Sequence, residues 1–187
     1  QDQMKADVVE LKKGFEVRKS QTESLEHARE LAETAAGDDK CGFVVAAGGD
    51  GTVREVAHGL EGSDKALIVL PCGTENLLAN ELGFNNKMKT AMRLLDNGEF
   101  RRLDMCSCNG KCFASVCGVG FDAEVIELVT KNRKGHITYL DYIWPIWQTF
   151  WTHRFPTLKV HADGEKVYEG KGLAFVGNIS RYAIGLP

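Results

Sequence analysis

The sequence has no long basic tract and no hydrophobic run of membrane-spanning length. Its 23 lysines and arginines are outnumbered by 26 acidic residues, so it lacks the positive surface with which nucleic-acid-binding proteins neutralise phosphates. The longest strongly apolar stretch runs only from 137 to 151 and contains Asp141 and Pro145, whereas a spanning helix needs about 20 apolar residues. These absences argue against a nucleic-acid partner and against this stretch as a membrane span.

The sequence also has no C-x-x-C pair, although it contains six cysteines. Cys106, Cys108 and Cys112 lie close together along the chain and suggest a metal cluster that can be tested. Asn109-Gly110 is typical of a two-residue hairpin turn, in which Cys106 and Cys108 share one face while Cys112 pairs with Ser107 on the other. The three thiols therefore cannot meet at one ion, and we expect reduced structural thiols in a cytoplasmic protein.

Two common phosphate-loop signatures are missing as well. No Gly-Lys-Ser/Thr follows the glycines at 48–51, which excludes a Walker-type loop, and the glycine spacing differs from the dinucleotide fingerprint. Instead, an apolar run at 43–47 leads into these glycines, and apolar residues at helical spacing follow from Val53 to Leu60. Strand, loop and helix in this order leave free N–H groups at the helix start, which favour an anion. The pattern predicts a phosphate-binding loop.

Asp50 is the unexpected member of this loop, because a carboxylate next to a polyphosphate is repulsive. It predicts a magnesium ion, a bound water or an acceptor hydroxyl between the two charges. The alternative is a plain tight turn in which Asp50 bonds its own backbone.

A second loop follows another buried-strand run at 66–70. Pro71, Gly73, Thr74 and Asn76 precede a short helix that begins near Leu77. Two parallel strands thus deliver two loops to the same sheet edge, where ligands bind in open α/β sheets. Thr74 and Asn76 offer neutral donors to phosphate or ribose oxygens, and helix capping is their alternative role.

The predicted elements indicate two domains. Helices are expected over 1–13, 25–35 and 87–95 and a strand over 15–19, which continues the α/β alternation of a parallel sheet. Hairpin signals dominate afterwards, with strands expected over 101–108, 111–117, 158–162, 165–169 and 172–176. We therefore expect an α/β nucleotide-binding domain over 1–100 and a β-rich, sandwich-type domain over 101–187.

Aromatic residues concentrate between 121 and 155, a segment predicted to be mostly helical. Trp144, Trp147 and Trp151 recur at i, i+3 and i+7 and so share one helical face. This face is either domain core or a surface at the lipid headgroup level, where tryptophan is favoured and the basic residues at 131–136 would meet anionic lipid.

Five motifs together resemble the catalytic domain family of diacylglycerol kinases, which includes bacterial lipid kinases and the sphingosine and ceramide kinases. The motifs are Gly48-Gly49-Asp50-Gly51-Thr52 with Glu55, Pro71-x-Gly73-Thr74-x-Asn76-x-x-Ala79, Arg102-x-Asp104, Gly118-x-Gly120-Phe121-Asp122-Ala123 and Gly177-Asn178. NAD kinases and phosphofructokinases resemble the first motif alone. The second and fourth indicate the lipid branch.

The resemblance implies transfer of the γ-phosphoryl group of ATP, with Mg²⁺, to a hydroxyl of diacylglycerol or a sphingoid base. It implies a nucleotide site made of Gly48, Gly49, Asp50, Gly51, Thr52, Val53, Arg54, Gly73, Thr74 and Asn76. Asp50 is the catalytic candidate, as base for the lipid hydroxyl or as part of a water-linked magnesium network. Glu55, Asp104 and Asp122 are further acidic candidates.

The resemblance also predicts segments outside the printed chain. The family's opening strand with its Asn-Pro-x-Ser/Gly loop would precede residue 1, and an acidic segment with magnesium ligands and a catalytic carboxylate would follow Pro187. We expect a piece incomplete at both ends, a lipid partner at the inner membrane face with peripheral contact, and a homo-oligomer. The alternatives are a soluble-substrate kinase of the NAD kinase type and a non-catalytic nucleotide- or lipid-binding regulator.

Overall fold

The computed structural model describes residues 15–85, 88–97, 100–132, 135 and 138–180. Its elements in chain order are α1 (Leu25–Ala36), β1 (Phe43–Gly48), α2 (Asp50–Gly59), β2 (Ala66–Pro71), α3 (Leu77–Glu81), α4 (Met88–Asn97), β3 (Cys106–Cys108), β4 (Lys111–Phe113), β5 (Val116–Val119), α5 (Phe121–Lys131), a 3₁₀ turn (Tyr139–Tyr142), α6 (Ile143–Thr152), β6 (Thr157–Ala162), β7 (Glu165–Lys171) and β8 (Ala174–Gly177). They form two compact units, one over Gln1–Ser115 and Ile179–Pro187 and the other over Val116–Asn178.

The first unit is built on the parallel pair β1 and β2, as the sequence predicts. Their register runs from Phe43 opposite Ala66 to Gly48 opposite Pro71. Helices α1 and α2 cover one face of this pair with small and β-branched residues, among them Ala28, Ala32, Val53 and Val56. The α/β character of the first part of the chain is therefore confirmed.

The predicted strand over 15–19 is wrong, because these residues form no regular element. Their apolar members still pack as the alternation suggests. The ring of Phe15 meets Phe43 edge to face with the centroids 5.1 Å apart, and Val17 packs against the cluster of Ile68 and Leu70. Contacts of these side chains with the sheet, without strand pairing, account for the pattern. The helix predicted over 1–13 lies outside the described residues.

Both predicted hairpins are present, although their strands differ in length. Asn109 and Gly110 adopt φ of 51° and 74°, and Asp163 and Gly164 adopt 51° and 85°, the left-handed pair of values that a type I′ turn needs. Ser107 lies opposite Cys112, which confirms that the thiols of β3 and β4 do not meet at one point.

The single strand predicted over 111–117 is two strands in the structure. The chain bends at 114 and 115. Before the bend, β4 pairs with β3, and after it, β5 pairs with β8. Because β4 contacts α2, the first hairpin belongs to the first unit. The division between the units therefore falls after Ser115 rather than at the predicted residue 100.

The second unit contains α5, the 3₁₀ turn and α6 together with its strands. Thr138 and Asp141 form a capping box at the start of the turn, in which the Thr138 N–H donates to the Asp141 carboxylate over 2.6 Å. Pro145 lies in the first turn of α6, where proline is tolerated. Within the ranges that the structure describes, none of the helices combines the length and hydropathy that a bilayer crossing requires.

Candidate functional site

Two loops leave the carboxyl ends of β1 and β2 side by side. Gly48 ends β1 directly opposite Pro71 at the end of β2. One residue further, the N–H of Cys72 donates to the carbonyl oxygen of Gly48 over 2.9 Å. The two predicted ligand loops therefore meet at one edge of the sheet.

The glycines of these loops are needed for space rather than for an unusual backbone angle. A Cβ on Gly73 would lie 2.7 Å from the Cα of Gly49, and a Cβ on Gly49 would lie 3.3 Å from the Cα of Gly73. A Cβ on Gly48 would lie 2.6 Å from the Cβ of Thr52. The backbone of one loop thus rests on the backbone of the other, and side chains would separate them.

Gly73→Ala is expected to lower the free energy of unfolding by about 1–3 kcal/mol, the usual cost of forcing atoms into a packed site. The added methyl group would meet main-chain atoms of Gly49, which cannot rotate away as a side chain can. Urea unfolding measures the change. Gly42→Ala is the matched control, because a Cβ there has no atom within 4 Å; equal midpoints for both variants would contradict the close contact of the loops.

Asn76 holds the second loop in shape. Its backbone is left-handed, with φ of 49° and ψ of 49°, a conformation that asparagine tolerates. Its side-chain oxygen accepts from the Gly73 N–H over 2.8 Å, and its side-chain nitrogen donates to the Gly73 carbonyl over 2.7 Å. Asn76 does not cap α3 through its side chain. Its contact with a nucleotide stays a prediction, alongside that of half-buried Thr74.

Asp50 occupies the first turn of α2. The preceding Gly49 has no side chain with which to cap the helix, so the N–H groups of this turn remain available to an anion. The Asp50 side chain is half-buried and, among the described residues, makes no hydrogen bond or ion pair. The alternative of a turn in which Asp50 bonds its own backbone is therefore wrong.

Glu55 is an anchor between two helices. Its carboxylate is 2.6 Å from the Arg54 guanidinium and 3.9 Å from that of Arg29 on α1, and its side chain is only 13% exposed. A carboxylate in this setting is held by two cations and is poorly placed to act on a substrate. Arg54 remains partly exposed, so its other face can still meet a phosphate.

The two remaining acidic candidates occupy different settings. Asp104 is exposed in the irregular segment between α4 and β3. Asp122 lies in the first turn of α5 in the second unit, where a Cβ on Gly118 would come within 3.0 Å of its carboxylate. The glycine of the Gly118-x-Gly120 motif therefore makes room for the Asp122 side chain.

The tryptophan face of α6 is exposed. Trp144, Trp147 and Trp151 are 66%, 57% and 69% exposed, whereas Thr149 on the opposite side of the helix is fully buried. Within the part of the chain that the structure describes, these tryptophans are therefore not domain core. With Leu140 and Ile143 they form the surface that we call the aromatic face.

Comparison with known proteins identifies the fold and the family. The sequence profile of the diacylglycerol kinase catalytic domain matches residues 3–108, which include both loops of the site. The chain belongs to this family.

Several members of the diacylglycerol kinase catalytic domain family are similar to the chain. A diacylglycerol kinase of Bacillus subtilis strain 168 is 31% identical over 138 residues, which cover 72% of this chain and 45% of the relative. A probable YegS-like lipid kinase of Pseudomonas aeruginosa strain UCBPP-PA14 is 34% identical over 134 residues, which cover 64% of this chain and 44% of the relative.

A solved structure supports the same assignment. A Bacillus anthracis Sterne protein, described as a candidate diacylglycerol kinase, superposes with a TM-score of 0.71 at 26% identity, covering 100% of this chain and 62% of that one. The expected diacylglycerol kinase-like fold, an α/β part followed by a β-rich part, is thus confirmed. The chain spans less than two thirds of each of these family members.

Proposed function

We propose that the full-length protein transfers the γ-phosphoryl group of ATP to a hydroxyl of diacylglycerol or a related lipid such as a sphingoid base. The observation that carries this proposal is the backbone contact of Gly49 with Gly73 at the sheet edge. This contact places the free N–H groups at the start of α2 beside the second loop, and together they offer one surface for a polyphosphate. The unpaired carboxylate of Asp50 lies next to this surface.

The nucleotide would be held mainly by main-chain groups. N–H groups of the first turn of α2 and the Arg54 guanidinium would bind phosphate oxygens. Mg²⁺ bound with the nucleotide would neutralise charge on the β- and γ-phosphates. The Asp50 carboxylate suits a contact to that ion through water, because Mg²⁺ prefers oxygen ligands and retains several waters.

The alternative role of Asp50 is that of proton acceptor. The lipid hydroxyl would give its proton to the Asp50 carboxylate while its oxygen forms a bond to the γ-phosphorus. The bond between that phosphorus and the β–γ bridging oxygen then breaks, and ADP leaves with the electron pair. Asp50 thus has two candidate roles, as base and in a magnesium network, which a magnesium titration distinguishes.

Radiolabelled phosphate transfer from ATP tests the proposal. Full-length protein is incubated with mixed micelles of diacylglycerol, sphingosine or ceramide, with NAD as a soluble acceptor. Label in one lipid is the expected result. Label in NAD would support the soluble-substrate alternative, and ATP binding without label in any acceptor would support a regulator.

Cys72 provides a separate test of nucleotide binding. It is exposed in the second loop, and desolvation raises the pKa of its thiol, so alkylation of its thiolate is measured at alkaline pH. We expect ATP to slow alkylation of Cys72 without affecting Cys41, whose thiol is at the opposite end of β1 and donates to the Phe43 carbonyl. Peptide mass spectrometry measures both; equal protection of the two would contradict a nucleotide at the loops.

We propose further that the aromatic face meets the bilayer that contains the lipid acceptor. Helix α6 carries no charged residue over its ten positions and carries three tryptophans, the side chain most favoured at the headgroup level. The exposed Arg154 follows the helix closely and would meet anionic lipid. An apolar, tryptophan-rich face with a cation at its margin fits a membrane interface.

A further inference from the structure

We propose that His58, Glu61 and Cys112 form a zinc site separate from the candidate active site. Nitrogen, oxygen and sulfur ligand atoms from these residues all lie within 4.8 Å of one another. The inference is independent of the kinase proposal, because no residue of the two loops takes part in it.

The fold brings the three residues together from distant parts of the sequence. His58 lies in the last turn of α2 and Glu61 follows just after the helix end at Leu60. Cys112 lies on β4, which contacts α2. Asp50 is at the other end of this ten-residue helix, about 12 Å from His58 along the axis at 1.5 Å per residue. An ion bound here would be too far from the phosphate loop to contact the nucleotide there.

The ligand set is suited to zinc rather than magnesium. Imidazole and thiolate are ligands that Zn²⁺ prefers, whereas Mg²⁺ takes oxygen ligands. Bonds of about 2.0–2.3 Å place the ligand atoms of a tetrahedral zinc roughly 3.5 Å apart. The ligand atoms would need to approach one another by up to about 1 Å, and the exposed Glu61 side chain has room to move toward the other two residues. Three protein ligands leave the fourth position for water.

Charge and access also favour a divalent cation. Neutral imidazole, thiolate and carboxylate together carry two negative charges, which balance Zn²⁺. The carbonyl end of α2 adds the partial negative charge of a helix C-terminus. His58 and Cys112 are half-buried and Glu61 is exposed, so an ion can reach the cluster from solvent. Such an ion would join the end of α2 to the β3–β4 hairpin.

Titration of the metal-free full-length protein with Co²⁺ and Zn²⁺ tests the site. We expect one ion per cluster, a thiolate-to-cobalt charge-transfer band, displacement of cobalt by zinc, and a melting temperature that rises with zinc. Cys112→Ser should abolish the band, and His58→Gln should weaken zinc binding at least tenfold, since even changes to groups behind the ligands cost about 10–100-fold.

Two further variants keep the test decisive. Glu61→Gln changes an exposed side chain and leaves folding intact, so its expected tenfold or greater loss of affinity cannot result from unfolding. Cys108→Ser is the matched control, because this thiol belongs to the same hairpin but not to the cluster; it should bind zinc normally. Zinc binding that survives Cys112→Ser and Glu61→Gln, or an absent thiolate band, would overturn the proposal.

Discussion

Asp50→Asn in the full-length protein is expected to lower phosphoryl transfer at least about 10²-fold, the lower range for loss of a positioned acid or base. Asparagine has nearly the same shape but neither the charge nor the proton affinity of the carboxylate. Because the Asp50 side chain makes no hydrogen bond or ion pair among the described residues, the change removes no structural contact. The loss of a negative charge in the first turn of α2 should lower the free energy of unfolding by at most about 1 kcal/mol, the usual size of a charge–helix dipole interaction.

Steady-state transfer kinetics and urea unfolding of the same preparations measure the two effects. Asp39→Asn, in the exposed turn before β1, is the control for a carboxylate lost elsewhere and should retain full activity. A magnesium titration then separates the two roles of Asp50. Activity that excess magnesium restores indicates the metal network, and activity that it does not restore indicates the base. Unchanged turnover in Asp50→Asn would remove Asp50 from the mechanism.

The loops were predictable because their signals are local. An apolar run followed by glycines and a helical periodicity predicts β1, the first loop and α2 without knowledge of any distant residue, and the same holds for β2 and its loop. Parallel strands place both loops at one edge, which the register of Gly48 with Pro71 confirms. The turn chemistry of Asn109-Gly110 and Asp163-Gly164 likewise predicts both hairpins from two residues each.

Features that depend on distant neighbours could not be predicted in the same way. Glycine is required at position 73 because a Cβ there would collide with the Cα of Gly49. The hydrophobic periodicity of a sequence does not reveal such a contact between two loops. The sequence suggests the side-chain amide of Asn76 as a hydrogen-bond donor to a ligand. In the structure, both polar atoms of that amide make hydrogen bonds to the backbone of Gly73. The segment from Phe15 to Val17 alternates as a strand does, yet its residues pack on the sheet without pairing.

The proposed zinc site of His58, Glu61 and Cys112 could not be predicted from local sequence patterns. The hairpin register excludes a site made of Cys106, Cys108 and Cys112, and the structure confirms that register. The register of β3 with β4 does not show which residues of other helices or strands lie near these thiols. His58 and Glu61 are three positions apart at a helix end, a spacing that places two ligands close together, but only the packing of β4 against α2 supplies the thiol.

Replacing Trp144, Trp147 and Trp151 together by alanine is expected to weaken association with anionic liposomes by at least about tenfold. Each tryptophan can bury 150–250 Å² in an interface, and at about 25 cal/mol per Å² even partial insertion of three rings exceeds the 1.4 kcal/mol of a tenfold change. All three are exposed, so their removal takes little from the core of the described structure. Sedimentation with vesicles of phosphatidylglycerol and phosphatidylcholine measures the association.

The control for this variant is Phe100→Ala, which removes an aromatic side chain of similar exposure, 70%, from the first unit. It should leave vesicle binding unchanged, because the proposed interface is the concentration of tryptophans on one helix rather than exposed apolar area in general. If the triple variant instead binds vesicles normally but unfolds at lower urea, another part of the full-length protein covers the aromatic face. The lipid acceptor would then have to be reached through a different surface, while the nucleotide loops at the sheet edge would be unaffected.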